Sequence, residues 1–154
     1  MISGAEIMVR CLEAEGVDTL FGYPGAAICP FYDKLYDSAI RHVLVRQEQN
    51  AAHAASGYAR ASGRAGVCVA TSGPGALNLI TGIATAYMDS IPVIAITGQI
   101  NLEQLGRDVF QEADITGACQ PFTKHSYLVK DAASLPRIFK EAFHIATTAA
   151  RGLY

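Results

Sequence analysis

The 154-residue chain is 51% hydrophobic and 17% charged, with 14 glycines, so it can bury a core and does not read as a disordered tail. Twelve basic against fourteen acidic side chains leave a net charge of −2, which excludes the electrostatic footprint of a nucleic-acid binder and a polybasic membrane patch. Residues 1–154 read as one domain, without internal repeat, low-complexity tract or linker.

Ser3-Gly4-Ala5-Glu6 has the form of a capping box and predicts a helix to about Glu15, burying Ile7, Met8, Cys11 and Leu12, with Gly16 at its end. A short strand follows over 17–21 and ends in Gly22-Tyr23-Pro24-Gly25. A helix over about 28–38 turns Phe31, Tyr32 and Leu35 inward, and a strand over 42–46 comes next. An alanine-rich helix covers about 49–62. The third strand, Gly66–Ala70, runs into Thr71-Ser72-Gly73-Pro74-Gly75, then a helix over about 76–88 and a strand over 92–97. The stretch 98–121 is irregular. A fifth strand over 126–129 precedes a final helix over about 135–149.

The longest charge-free stretch, 65–88, is interrupted by the 71–75 loop and Asn78, so it is not a membrane span. Glu6, Arg10, Glu13 and Glu15 break up any apolar secretion signal. Cys11, Cys29, Cys68 and Cys119 form no C-x-x-C pair and read as buried free thiols of a reducing cytoplasm.

Strands separated by helices of this size imply parallel pairing through right-handed crossovers. The unbroken apolar runs Val67-Cys68-Val69-Ala70 and Val93-Ile94-Ala95-Ile96 ask for cover on both faces. The expected class is α/β: a doubly wound, mainly parallel open sheet with helices on both faces. Ligands of such sheets bind at the carboxyl ends of the strands, where the 22–25 loop, Glu48 and the 71–75 loop fall, with 110–112 a further contributor. From spacing alone, each also has a plain structural reading: a βα turn, a helix entry, or an acid favoured by a helix dipole.

Neither glycine loop spells a dinucleotide fingerprint or a P-loop, and no G-x-S-x-G elbow makes Ser72 a nucleophile. His42, His53, His125 and His144 lack metal-ligand spacing, and His53 and His125 read as surface or structural. Asp108, Glu112 and Asp114 are too scattered for a metal cluster, so no metal ligand is assigned.

At these loops the chain resembles the thiamine-diphosphate enzymes through Leu20-Phe21-Gly22-Tyr23-Pro24-Gly25, Arg46-Gln47-Glu48-Gln49, Gly57-Tyr58-Ala59-Arg60-Ala61 and Ala70-Thr71-Ser72-Gly73-Pro74-Gly75. Met88-Asp89-Ser90-Ile91-Pro92, Ile96-Thr97-Gly98-Gln99, Asp108-Val109-Phe110-Gln111-Glu112 and Thr123-Lys124-His125 are similar, more narrowly, to the acetolactate synthase (acetohydroxyacid synthase) large-subunit family. The resemblance runs from Ser3 to about Thr148 and implies that family's N-terminal pyrimidine-binding domain. FAD-binding and diphosphate-binding domains would lie outside this stretch, so the chain alone is expected to be inactive. The implied reaction joins two pyruvates, or pyruvate and 2-ketobutyrate, with loss of CO2, in branched-chain amino-acid synthesis.

The resemblance implies thiamine diphosphate as cofactor, its pyrimidine half held here, with magnesium and FAD in the full-length enzyme. It makes Glu48 the catalytic residue, the glutamate that hydrogen-bonds N1′ of the aminopyrimidine so that the cofactor's own amino group serves as base. Tyr23, Pro24, Pro74, Asn78 and Gln111 match pocket-lining, cofactor-binding positions, while Phe110 and Gln111 match the substrate channel. A homodimer, 2-keto acid substrates and a regulatory small subunit are the partners it implies.

Several residues depart from the family pattern: Gln47 for histidine, Asn50 and Ala26 for glycine, Leu77 for threonine and Val109 for alanine. Ala26 and Val109 would narrow the channel and bear on the second substrate. The last residues, Ala149-Ala150-Arg151-Gly152-Leu153-Tyr154, stand where the family continues through Gly-Arg-Pro-Gly-Pro, with Arg151 matching only a displaced FAD-contacting arginine. Two further readings are a pyrimidine-binding domain or separate subunit of another thiamine-diphosphate decarboxylase or carboligase, and a non-catalytic assembly module.

Overall fold

The computed structural model describes residues 2–100, 103, 106–107 and 110–148, so Asp108, Val109 and Arg151 lie outside the described residues. Helix α1, Gly4–Ala14, starts where Ser3 accepts a hydrogen bond from the Glu6 N–H at 3.2 Å. Only half of the capping box forms, because Glu6 turns to Arg10 instead of back to Ser3. The chain leaves α1 through Gly16 into β1, Thr19–Gly22. A 3₁₀ turn, Ala26–Ile28, leads into α2, Cys29–Tyr36, then β2, Arg41–Leu44, and α3, Glu48–Ser62.

Strand β3, Gly66–Ala70, is followed by α4, Pro74–Leu77, and α5, Ile80–Met88, in place of the single expected helix. After β4, Val93–Thr97, come the short α6, Ile115–Cys119, and the long α7, Leu135–Thr147. Residues 126–129 do not form the expected fifth strand: they have no strand partner among the described residues, and a strand needs one.

Among the described residues the sheet is four-stranded and all parallel, in the order β2-β1-β3-β4. Side chains of β3 alternate between two cores. Val67 and Val69 join Leu12, Phe31, Phe139 and others beneath α1, α2 and α7. Cys68 and Ala70 join Ala51, Ala52, Ala55, Leu79 and Ile83 beneath α3 and α5. Every residue of β3 is buried, which accounts for its unbroken apolar run.

The small alanines of α3 have a packing role. A Cβ at Gly82 of α5 would overlap Ala52, so the two helices touch nearly backbone to backbone. No described helix is long and apolar enough to cross a membrane. All four cysteines are free, but only Cys68 and Cys119 are buried: Cys11 is half-buried at the side of α1, and Cys29 is exposed, because the first turn of α2 faces solvent.

Candidate functional site

Strand order reverses at β1: the chain moves from β1 to β2 on one side, then returns to β3 on the other. Ligands of doubly wound sheets bind at such switch points, beyond the carboxyl ends of the strands. The loops leaving β1 and β3 and the start of α3 meet there.

Gln47 enters α3 with extended backbone and no side-chain cap, so Glu48 occupies the first helical residue, where the helix dipole favours an anion. Its carboxylate is half-buried and tethered: Asn78 Nδ2 donates to Glu48 Oε2 at 3.0 Å. Asn78 stands where the helical run is interrupted at residues 78–79, between α4 and α5. The second oxygen, Oε1, faces the β3 loop, 3.2 Å from where a Cβ on Gly75 would stand.

Thr71 sits between the two glycine loops. A Cβ on Gly25 would lie 2.5 Å from its Cβ, and one on Gly75 would lie 2.7 Å from its Cγ2, so both loops need glycine there. Gly73 has φ +56°, and a Cβ on it would overlap the Gln111 carbonyl. Gln111 itself has φ +62°, in the left-handed region that side chains seldom adopt. Its backbone is thereby laid against the Gly73 turn.

Three buried hydroxyls, Thr71 Oγ1, Ser72 Oγ and Tyr32 OH, have no hydrogen-bond partner among the described residues. Buried polar groups are otherwise satisfied almost without exception. Two of the three stand at the carboxyl end of β3. The residues of the expected site are therefore partly assembled. Glu48, Asn78, Gln111 and the 71–75 loop come together, and the β1 loop joins them through Gly25 and through Tyr23 N–H, which donates to Val69 O at 3.2 Å.

Tyr23, Pro24 and Pro74 expose their side chains at the rim. Phe110 is 87% exposed. The unpartnered Thr71 and Ser72 hydroxyls were not singled out from the sequence. The available signal was a threonine and a serine directly at the end of a fully apolar strand.

Beneath the site, burial pushes the Cys68 thiol up to about 12, so it stays neutral and acts as core. Desolvation lowers the His42 pKa, and its Nε2 lies 3.3 Å from Gly22 O. His53 and His125 are exposed, and His125 packs its ring edge on Tyr127. Asp114 caps α6, accepting from the Gly117 N–H at 2.9 Å. Among the described residues, no three His, Cys, Asp or Glu side chains stand together as a metal site.

Residues 2–118 match the family described as thiamine pyrophosphate enzyme, N-terminal TPP binding domain. The chain is 59% identical over 151 residues to a probable acetolactate synthase large subunit of Methanocaldococcus jannaschii, covering 98% of this chain and 26% of that protein. It is 57% identical over 152 residues to an acetolactate synthase of Mycobacterium bovis, covering 98% of this chain and 25% of that one. Against the acetolactate synthase isozyme 2 large subunit of Escherichia coli it is 56% identical over 151 residues, 98% of this chain and 28% of that one. It thus spans about a quarter of the length of these curated relatives.

Proposed function

Because this chain belongs to the N-terminal TPP-binding domain family of thiamine pyrophosphate enzymes, we propose that it holds the aminopyrimidine half of thiamine diphosphate, with Glu48 as the activating residue of an acetolactate-forming enzyme. The observation that carries this reading is the Glu48 carboxylate, with one oxygen held by Asn78 and the other turned to a cleft floored by glycine.

The residues fit the group. An aminopyrimidine is flat and apolar on its faces, with polar atoms only at its edge. Glycines at 25, 73 and 75 leave room for a close approach, and Thr71, whose buried hydroxyl has no partner among the described residues, stands beside Gly25 and Gly75. Tyr23, Pro24 and Pro74 supply an apolar rim, and Gln111 an amide beside the Gly73 turn. Neither loop carries a lysine or arginine, so a diphosphate finds no charge partner on them. Magnesium for that end, and FAD, belong in this proposal to the domains that full-length relatives carry outside the matched stretch.

When bound, thiamine diphosphate supplies a carbon acid whose deprotonated form is a nucleophile toward 2-keto acids. The protein's part is positional. Asn78 holds one oxygen of Glu48 and leaves Oε1 free of it, so that Glu48 would be the residue to exchange a proton with the aminopyrimidine. The buried strands beneath the loops hold them rigid, so this contact is set before substrate arrives.

The same reading takes pyruvate and a second 2-keto acid as substrates in branched-chain amino-acid synthesis, in the cytoplasm, where four unpaired thiols are compatible with the redox poise. The same reading includes a homodimer, supported by the exposed apolar side chains of Leu77 and Tyr23, each 41% exposed. Phe110 lines the substrate channel, and a regulatory small subunit completes the assembly.

The test is to join residues 1–148 to the remaining domains of the Methanocaldococcus jannaschii relative and supply pyruvate, thiamine diphosphate, magnesium and FAD. Acetolactate with stoichiometric CO2 supports the reading. A folded, cofactor-loaded protein that turns over no 2-keto acid contradicts it.

A further inference from the structure

Helices α3 and α5 follow parallel strands over one face of the sheet and lie side by side. Three contacts between them share a single register. The Asn78 side-chain amide donates to Glu48, a Cβ on Gly82 would meet Ala52, and Arg60 pairs with Asp89 at the far end. Residue numbers rise together along both partners, so the two helices run in the same direction. Ala52 is four residues past Glu48, and Gly82 is four past Asn78. Asn78 and Leu79 keep right-handed helical backbone across the interruption, so on both sides the second contact lies one turn beyond the first, on the same face. One turn further, Ser56 and Ala86 are both buried.

The second contact leaves no spare room. A Cβ on Gly82 would lie 2.4 Å from Ala52 Cβ, 3.1 Å from the His53 nitrogen and 3.2 Å from the Ala52 carbonyl carbon. Carbon atoms rest about 3.5–4.0 Å apart, so a side chain at 82 would part the helices there by about an ångström. Glycine is a poor helix former, so its place inside α5 is explained by this approach and not by propensity. The far contact cannot set the spacing. Arg60 and Asp89 are each about half exposed, with 46% and 51% of their side-chain surface open, and exposed pairs of that kind contribute little.

What the spacing controls is the Glu48 carboxylate. Glu48 belongs to α3, but both its oxygens face residues that precede α5: Oε2 meets Asn78, and Oε1 faces Gly75. Parting α3 from α5 therefore draws the carboxylate away from both at once. The side chain could follow Asn78 only by changing where Oε1 stands.

We propose that Gly82 is a positioning residue for Glu48: by letting α5 rest directly on Ala52 of α3, it sets the distance between the Glu48 carboxylate and the loop after β3. The proposal rests on the reading of Glu48 as the activating residue. Gly82 itself touches neither cofactor nor substrate and acts through the separation of two helices. A misplacement of about an ångström at a reacting group costs about a hundredfold in rate, so a methyl group one helical turn away is enough to matter.

The test uses Gly82→Ala and the swapped pair Gly82→Ala with Ala52→Gly, each in the full-length fusion described above. One readout is exchange of the C2 proton of bound thiamine diphosphate. The other, taken without cofactor, is the NMR signal of the Asn78 side-chain amide in asparagine-labelled protein, which a hydrogen bond to a carboxylate shifts and protects from water. Gly82→Ala should slow C2 exchange about tenfold to a hundredfold and abolish the bonded amide signal. The swap removes the 2.4 Å overlap and leaves only the looser backbone contacts, so it should recover most of both. Unchanged exchange and amide signal in folded Gly82→Ala overturn the proposal, and so does an equal loss in the single and swapped variants. If Gly82→Ala does not fold, Ala52→Ser adds one atom from the facing side and carries the same two expectations. Failure of the Glu48 reading itself looks different: Glu48→Gln would then exchange at the unsubstituted rate, whereas failure of this proposal alone leaves Glu48→Gln slow and Gly82→Ala fast.

Discussion

Asn78 Nδ2 lies 3.0 Å from Glu48 Oε2, across 30 residues of sequence and between two helices that start at different strand ends. The contact orients the carboxylate. Asn78→Ala keeps Glu48 but frees its rotamer. A hydrogen bond to a charged group contributes about 1.5–3 kcal/mol, so activation of the cofactor should fall roughly tenfold to a hundredfold. C2-proton exchange in a full-length, cofactor-loaded protein reads this directly, and an unchanged rate would show the contact to be incidental.

Gly73→Ala places a Cβ against the Gln111 carbonyl at a backbone angle of +56°. Strain of this kind costs about 1–3 kcal/mol, visible as a lower urea midpoint. Gly75→Ala acts differently: its Cβ meets Thr71 Cγ2 and the Glu48 carboxylate, so cofactor affinity should fall more than stability. Denaturation and cofactor titration on the same two variants separate the effects.

At the opposite edge of the sheet, the Arg64 guanidinium and Tyr58 hydroxyl hydrogen-bond Asp18 and hold its carboxyl at about 2, below its ordinary 3.8. Because the folded value is the lower one, the stabilisation is present above the ordinary value and is lost as pH falls toward 2. A carbon-detected NMR titration should find Asp18 ionised at pH 3, and Arg64→Ala should raise its pKa toward the usual carboxylate range, with Tyr58 and Thr19 still holding it somewhat below.

The apolar sides of α3 and α5 suggest self-association, but the fold itself covers Ala51, Ala52, Ala55, Leu79 and Ile83. Ala54, Ile80 and Ala84 are half-buried, and Leu77 is exposed beside the site. Sedimentation equilibrium should still show a dimer, weakened by Leu77→Asp. A monomer at high concentration would remove the dimer from the account.

Gly66–Ala70 was legible to the residue because an unbroken apolar run between turn-forming residues has one solution in such a sheet. The break at Asn78 was not, since helical periodicity continues across it. Residues 126–129 carry strand composition, but pairing is a property of the neighbour, which sequence period does not reveal. Glu48, Asn78 and Gln111 were legible one by one through their motifs. Their joining followed only from the resemblance, because physically it depends on the left-handed Gln111 and on two loops closing around Thr71, which no local pattern reveals. Phe110 shares a motif with Gln111 and is exposed.

The central claim is that Glu48 activates the cofactor by a proton contact at the ring, and one measurement tests it most directly: exchange of the C2 proton of bound thiamine diphosphate for deuterium, in a full-length protein carrying Glu48→Gln. Glutamine keeps the shape and the reach to Asn78 but cannot share the proton. The expected variant is folded and binds the cofactor, with exchange slower by about 10²–10⁴-fold, the scale of a positioned proton-transfer group. Exchange at the unsubstituted rate would contradict it and leave Glu48 as the dipole-favoured first residue of α3.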